Sequence, residues 1–313
     1  MNILVTALGG DISQSIINVL KRHYPASRII GTDRLPQPFF SRFVDEFYVL
    51  PSAYESKYLE SLDEFISSKG IDLLIPASEL EIELLSKAIG FLKIPTVICN
   101  RKVVEVCSDK FSTINFLNGL GFPCPITSLY PEEYQGPLPI IVKSRFGSGS
   151  KSVRLCRTLD EARQYGALIK NPVYQECLLP SNYEVSCAVH RDFSGDTRVI
   201  QLRRVLSGGR TLWAQVIKNS EVDNLCEVVA EELSLVGSIN IQLILTKDGP
   251  RVFEINPRIS STVAMRDTLG FNDLFWGIQE ALGLKIPKSN IIEVGTLVGR
   301  MDEIIALKAG VIS

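Results

Sequence analysis

Between Ile239 and Arg258 the chain reads I-N-I-Q-L-I-L-T-K-D-G-P-R-V-F-E-I-N-P-R. Apolar residues alternate or run together over Ile239–Leu245 and again over Arg251–Ile255, with Lys247-Asp248-Gly249 between them. That pattern predicts a β-hairpin. Strand side chains repeat every two residues, so Gln242 faces away from Ile239, Ile241 and Leu243, and Glu254 shares a face with Asn256. A carboxylate, a carboxamide and a facing Gln, with Arg258 two residues on, supply oxygen donors for a hard cation and a guanidinium for phosphate. The same residues would serve as the solvated face of an ordinary antiparallel strand. Pro257, directly after Asn256, argues for the site: it stops the ladder and turns Arg258 back toward the strand end.

Positioning such a hairpin takes a substantial fold, and 313 residues with 45% hydrophobic and 22% charged supply one, in two or three domains. A formal charge of -2 argues against a nucleic-acid partner, which needs a basic surface. No apolar run approaches the roughly 18 residues of a membrane span, and M-N-I-L-V-T enters a strand at once, so the expectation is a soluble, cytoplasmic protein without a membrane partner. Seven scattered cysteines without a C-x-x-C pair point to small core residues, not to zinc or a disulfide framework. With only His23 and His190, histidine chemistry is poorly supplied, and His23 in the polar H-Y-P end of the first helix reads as a surface residue.

Ile3–Ala7, Gly9-Gly10, a helix over about Ile12–His23 and a strand Arg28–Thr32 form a βαβ opening whose glycine turn could receive an anion. Asp33 stands where a dinucleotide fold puts its ribose acid, but L-G-G-D-I-S lacks G-x-G-x-x-G, so the glycines read mainly as turn formers. The alternation continues through Glu46–Leu50, a helix Tyr54–Lys69, Leu73–Pro76, a helix Ser78–Ile89 and a strand Thr96–Cys99, which predicts a doubly wound parallel sheet over roughly 1–100. Of the acids after Leu73–Ile75, Glu81 and Glu83 read as the solvent side of a helix, leaving Glu79 as the one to watch. A further helix, capped by Ser108, begins at Ser108-Asp109-Lys110.

The strand Pro139–Lys143 leads into S-R-F-G-S-G-S-K-S-V, where Lys143 and the loop Gly147-Ser148-Gly149-Ser150 could hold a triphosphate. No Walker spacing is present. A strand Val173–Glu176, an extended connector Cys177-Leu178-Leu179-Pro180 and Glu184 could seat adenine and ribose between two lobes. The strands Glu184–Arg191 and Arg198–Leu206 follow, Arg203, Arg204 and Arg210 bring positive charge beside them, and a helix Val222–Leu235 returns the chain to the hairpin.

The order Lys110, Lys143 with its Gly/Ser loop, Gln175-Glu176-Cys177-Leu178, Glu184, Gln242 and Glu254-Ile-Asn256-Pro-Arg258 resembles the ATP-grasp superfamily. Within it, the sequence is most similar to the carbamoyl-phosphate synthase large subunit and related carboxylate-amine ligases. The resemblance implies a mixed fold, α/β first and α+β toward the C-terminus: an N-terminal α/β domain over 1–104, an ATP-grasp small lobe over 105–185 and a large lobe over 186–313. It implies that Lys110 and Lys143 meet the ATP phosphates under the loop 146–151, that Glu176, Cys177 and the Leu178 backbone receive adenine, and that Glu184 holds ribose. Gln242, Glu254 and Asn256 would bind magnesium, with manganese as an alternative, and Arg258 would stabilise the transferred phosphoryl group. The activity implied is ADP-forming ligation of a carboxylate, such as an amino acid, to an amine through an acyl phosphate. A non-catalytic nucleotide-binding subunit is the alternative from another class, and a homodimer fits either. Gln242 stands where many members have Glu, which lowers the site charge. The chain stops at Ser313 without a duplicated synthase half, so full carbamoyl phosphate synthesis by it alone is not expected.

Overall fold

The computed structural model describes residues 1–36, 39–88, 90–147, 152–179, 184–288 and 291–301. Its first unit alternates strand and helix: β1 (Asn2–Val5), α1 (Asp11–His23), β2 (Arg28–Asp33), β3 (Glu46–Val49), α2 (Tyr58–Lys69), β4 (Leu73–Ile75) and α3 (Glu79–Lys87). The four strands pair in parallel in the order β3-β2-β1-β4. Both faces are covered, and strand parity sorts the residues. Ile3, Val5, Leu73 and Ile75 join the core beneath α1, while Leu4, Ile30 and Leu74 join Tyr58, Leu62 and Ile66 of α2. Gly31 is required at its place because a Cβ there would stand 2.8 Å from Leu8 Cδ2.

Five local expectations are corrected here. Thr96–Cys99 is no strand, since it makes a single parallel bridge with Leu74. Helix α2 starts at Tyr58 because a turn closes first, Ser52 N donating to Glu55 Oε1 at 2.9 Å. Glu81 is buried instead of solvated: it completes the Ser78 capping box and accepts from Thr6 Oγ1 at 2.7 Å and Tyr58 Oη at 2.8 Å. Glu83 does face solvent and pairs with Lys87 at 2.6 Å. His23 is no free surface residue, because it meets Asp267 at 2.6 Å and stacks on Phe275. Asp109, not Ser108, caps the helix that starts at Lys110.

The chain continues through α4 (Arg101–Ser108) and α5 (Lys110–Gly119), then β5 (Thr127–Ser128), β6 (Ile140–Ser144), β7 (Val153–Cys156), α6 (Leu159–Gly166) and β8 (Pro172–Glu176). These strands form an antiparallel sheet in the order β5-β8-β6-β7. Next come β9 (Glu184–Arg191), β10 (Thr197–Ser207), β11 (Arg210–Ile217), α7 (Ser220–Glu232), β12 (Gly237–Thr246), β13 (Gly249–Asn256), α8 (Val263–Thr268), α9 (Asp273–Ala281) and β14 (Leu297–Gly299). They build a six-stranded sheet, β13-β12-β9-β10-β11-β14, antiparallel throughout. Together the N-terminal parallel sheet and the two antiparallel sheets give the mixed architecture expected from the sequence.

One face of the six-stranded sheet, through Val185, Cys187, Ile239, Ile241 and Leu243, packs on α4, α5 and α7. The opposite face is polar at the β12–β13 end and apolar farther along, where Ala188, Leu202 and Ala214 meet Phe271 and Trp276. Among the described residues all seven cysteines are free, and all but Cys177 are buried. No helix of the described residues is long and apolar enough to cross a membrane.

Candidate functional site

The hairpin is antiparallel with Gln242 opposite Glu254 and Asn240 opposite Asn256, so all four side chains share the polar face. The register then slips, with Leu243 opposite Val252, which makes Phe253 the extra residue of a β-bulge. Bulges re-aim neighbouring side chains and leave a backbone group out of the ladder. Here that group has a partner: Lys143 Nζ, at the end of β6, donates to the Phe253 carbonyl at 3.3 Å.

Lys143 is 5% exposed, and burial lowers its pKa from 10.5 to about 8, with Glu254 pulling it back up and Lys110 pushing it down. Lys110, the first residue of α5, also meets Glu254, its Nζ 3.3 Å from Glu254 Oε1 and 2.5 Å from the Gly147 carbonyl. The helix start that places Lys110 is pinned by Asp109. That carboxylate accepts from Phe111 N at 3.0 Å and from Ser112 Oγ at 2.7 Å, and it takes Arg145 in a fork at 2.8 and 2.6 Å. Burial raises the Asp109 carboxyl, but these donors hold it below the ordinary range.

Arg258 turns back as Pro257 suggested. Its guanidinium donates to Asn256 Oδ1 at 3.1 Å and to Glu79 Oε1, at the start of α3, at 2.8 and 3.2 Å. The acid singled out in the N-terminal unit therefore meets the hairpin directly. Behind Pro257–Ile259 lies a cavity of about 110 Å³, lined by Ile75, Pro76, Ile82 and Glu280 among others.

Four groups outside the hairpin are already partnered: the Gly9-Gly10 turn, Asp33, Glu176 and Glu184. The Gly9-Gly10 turn offers no spare donors to an anion, because Gly9 N donates to Asp33 Oδ2 at 2.9 Å and Gly10 N to the Ala7 carbonyl at 3.1 Å. Asp33 thus braces the turn instead of waiting for a ribose, and its other oxygen accepts from Leu35 N at 3.1 Å. Glu176 presents no open carboxylate to adenine: Arg251 of β13 takes it at 2.7 and 2.8 Å, and Ile126 N donates at 3.0 Å. Burial alone would raise Glu176, yet Arg251 and the Ile126 N–H hold it below the ordinary glutamate range. The backbone of Glu176, Cys177 and Leu178 is what remains for a base. Glu184 is likewise paired, with Arg204 of β10. Ser148, Gly149 and Ser150 lie outside the described residues, while Gly147 is held in a left-handed conformation (φ +84°) at the loop's start.

Sequence reading missed Arg251 and the Ser186–Asn240 pair, in which Ser186 Oγ donates to Asn240 Oδ1 at 2.6 Å on the polar face, and it gave Arg204 as positive charge without its partner Glu184. Parity gave a signal for Asn240, but it puts Arg251 on the face opposite Glu254 until the bulge intervenes, and nothing short of strand order could have placed Ser186 beside Asn240 or Arg204 beside Glu184.

Among the described residues no three His, Cys, Asp or Glu side chains converge as a metal cluster. A divalent ion at the hairpin would be held by one carboxylate, Glu254, and two amides, Gln242 and Asn256. That donor set is all hard oxygen and fits magnesium. The contact of Glu254 with the Lys110 ammonium shows the same carboxylate already compensated by a cation.

Comparison with known proteins identifies two matching families. Residues 107–262 match an ATP-grasp domain, and residues 3–94 match a PylC-like N-terminal domain. A carbamoyl-phosphate synthase of Methanobrevibacter smithii is 23% identical over 266 residues, covering 76% of this chain and 70% of that protein. The carbamoyl phosphate synthase large chain of Helicobacter pylori is 23% identical over 296 residues, 82% of this chain but 27% of that protein. In three dimensions the chain is similar to the biotin carboxylase domain dimer of Hydrogenobacter thermophilus 2-oxoglutarate carboxylase, solved with MgADP, ADP and bicarbonate. The TM-score is 0.76 at 16% identity, over 95% of this chain and 73% of that one. The chain belongs to the ATP-grasp superfamily, its ATP-grasp domain preceded by a PylC-like N-terminal domain.

Proposed function

We propose that this protein is an ATP-dependent, ADP-forming ligase that activates a small substrate carboxylate as an acyl phosphate for attack by an amine. The observation that carries this reading is the convergence of three cations from three elements, Lys110, Lys143 and Arg258, on the Glu254 face of the hairpin. Such a cluster binds a polyanion and favours charge that spreads over a transferring phosphoryl group. Lys110 and Lys143 would take the phosphates, and the backbone of Glu176, Cys177 and Leu178 the adenine. Glu184 would reach the ribose by sharing itself with Arg204. Magnesium, or manganese, held by Gln242, Glu254 and Asn256 would supply charge neutralisation at the phosphates. Arg258, oriented by Glu79 and Asn256, would face the phosphoryl group and the carboxylate that accepts it. Glu79 serves Arg258 first, so the amino-carboxylate class rests on Arg258.

The relatives named carbamoyl-phosphate synthase favour a second reading, in which bicarbonate or carbamate is the carboxylate activated. One experiment separates the readings: ADP release measured with a panel of amino acids and amines, and with bicarbonate and ammonia, each with a carboxylate ¹⁸O label. Transfer of label into phosphate with one pair identifies the substrate and the acyl phosphate route. Label retained wholly in product, with ADP formation coupled to it, refutes that route. Glu254→Ala is expected to abolish ADP release without unfolding the chain, since it removes the metal carboxylate and no core volume. ADP production at the wild-type rate in that variant would remove the metal assignment.

A further inference from the structure

Resting on the reading of Glu254 as the metal carboxylate and Lys110 as a phosphate ligand, we propose that Lys110 also decides the form in which the metal enters. In the nucleotide-free chain it acts as the counter-ion of Glu254, so that the hairpin refuses a free divalent cation and accepts one with nucleotide.

Four observations carry this. The Lys110 ammonium lies 3.3 Å from Glu254 Oε1, and the two side chains are only 8% and 17% exposed, so solvent screens the contact weakly. Lys110 cannot easily withdraw: its backbone N donates to the Arg145 carbonyl at 3.2 Å, Asp109 pins the helix start, and α5 packs against β13. The other two donors are neutral amides, and Asn256 Oδ1 already accepts from Arg258, which leaves a bare cation one carboxylate shared with an ammonium. Finally, Lys110, Lys143 and Arg258 outnumber the carboxylates Glu79 and Glu254 at this face, while Glu184 is matched by Arg204. A site with that balance attracts a polyanion and repels a lone divalent ion.

Phosphate changes the balance, because the ammonium then has an anion of its own and Glu254 is released to the metal. Linkage requires that nucleotide raise the affinity for metal by the same factor by which metal raises the affinity for nucleotide.

The test is Mn²⁺ binding, read by the electron paramagnetic resonance signal of the free ion, on the nucleotide-free full chain and with ADP. Lys110→Met is expected to bind Mn²⁺ alone about 10-fold more tightly than wild type, on the scale of one coupled charge, and to bind ADP more weakly. Lys110→Arg keeps the charge and should keep the wild-type Mn²⁺ affinity. Adding Glu254→Gln to Lys110→Met should erase the gain. Mn²⁺ binding no tighter in Lys110→Met than in wild type, or a gain that survives Glu254→Gln, overturns the inference while leaving the ligase reading intact. A wild-type chain that takes up no Mn²⁺ even with ADP sinks both.

Discussion

Replacing Lys143 by Met should move stability and nucleotide affinity in opposite directions. The lysine is buried at the end of β6, with one neutral acceptor, the Phe253 carbonyl, at 3.3 Å. Its pKa falls from 10.5 to about 8, so folding disfavours the charged form. At about 1.36 kcal/mol per decade, that displacement costs about 3 kcal/mol at pH 7. Met fills similar volume without charge, and Glu254 keeps Lys110 as partner. Lys143→Met should therefore be more stable than wild type by up to about 3 kcal/mol at pH 7. The sign with pH follows. Below about 8 both folded and unfolded wild type are protonated and the penalty is complete. Between about 8 and 10.5 only the unfolded state holds the proton, so wild-type stability rises with pH. The difference between variant and wild type should narrow by about 2 kcal/mol from pH 7 to roughly pH 9.5.

Without its charged hydrogen bond to phosphate, worth about 1.5–3 kcal/mol, the variant should bind ATP about 10- to 100-fold more weakly. Urea unfolding at the two pH values and a nucleotide titration check both halves. A variant less stable than wild type at pH 7, with a stability gap that does not change with pH, would refute the reasoning about burial. An unchanged ATP dissociation constant would refute the phosphate role. The site would then hold a charge that the fold disfavours and the ligand does not use.

Two further outcomes follow from the ion pairs around the site. Arg251→Met removes the fork on Glu176 and the 2.5 Å bond to the Cys124 carbonyl, which tie β8 and the segment before β5 to the hairpin. Stability at neutral pH should fall by about 1–3 kcal/mol, with adenine nucleotides bound more weakly. Because the Glu176 carboxyl is held low, this contribution is present above the ordinary carboxylate range and fades as pH drops through the folded value. Urea midpoints that coincide with wild type at pH 7 would contradict it. Asp273→Ala should cost about 3–5 kcal/mol, because it strands the buried Arg266 guanidinium. Burial raises the Asp273 carboxyl while Arg266 opposes it from 2.6 Å, and Arg266 also holds Ser260 and Thr262, just beyond Arg258. A loss under about 1 kcal/mol in thermal or urea unfolding would show that Arg266 finds another partner.

What the sequence made legible is what short-range periodicity encodes. Alternation over 239–256 was enough to place Gln242, Glu254 and Asn256 on one face, and Pro257 enough to return Arg258 toward them. The parallel sheet followed equally from apolar runs separated by helices. Charges whose partners lie far along the chain were illegible. Glu81 carries the same alternating pattern as Glu83, yet Thr6 and Tyr58, 75 and 23 residues away, bury it. Glu176 and Glu184 looked open for the same reason, since Arg251 reaches Glu176 from a different sheet and Arg204 reaches Glu184 from the neighbouring strand. The bulge at Phe253 belongs to this class: no residue type announces it, and it sets both the aim of Glu254 and the acceptor for Lys143. Local pattern thus identified which oxygens could hold a cation. Long-range pairing decides which of them are already compensated, and only the second fact bears on how metal and nucleotide must arrive together.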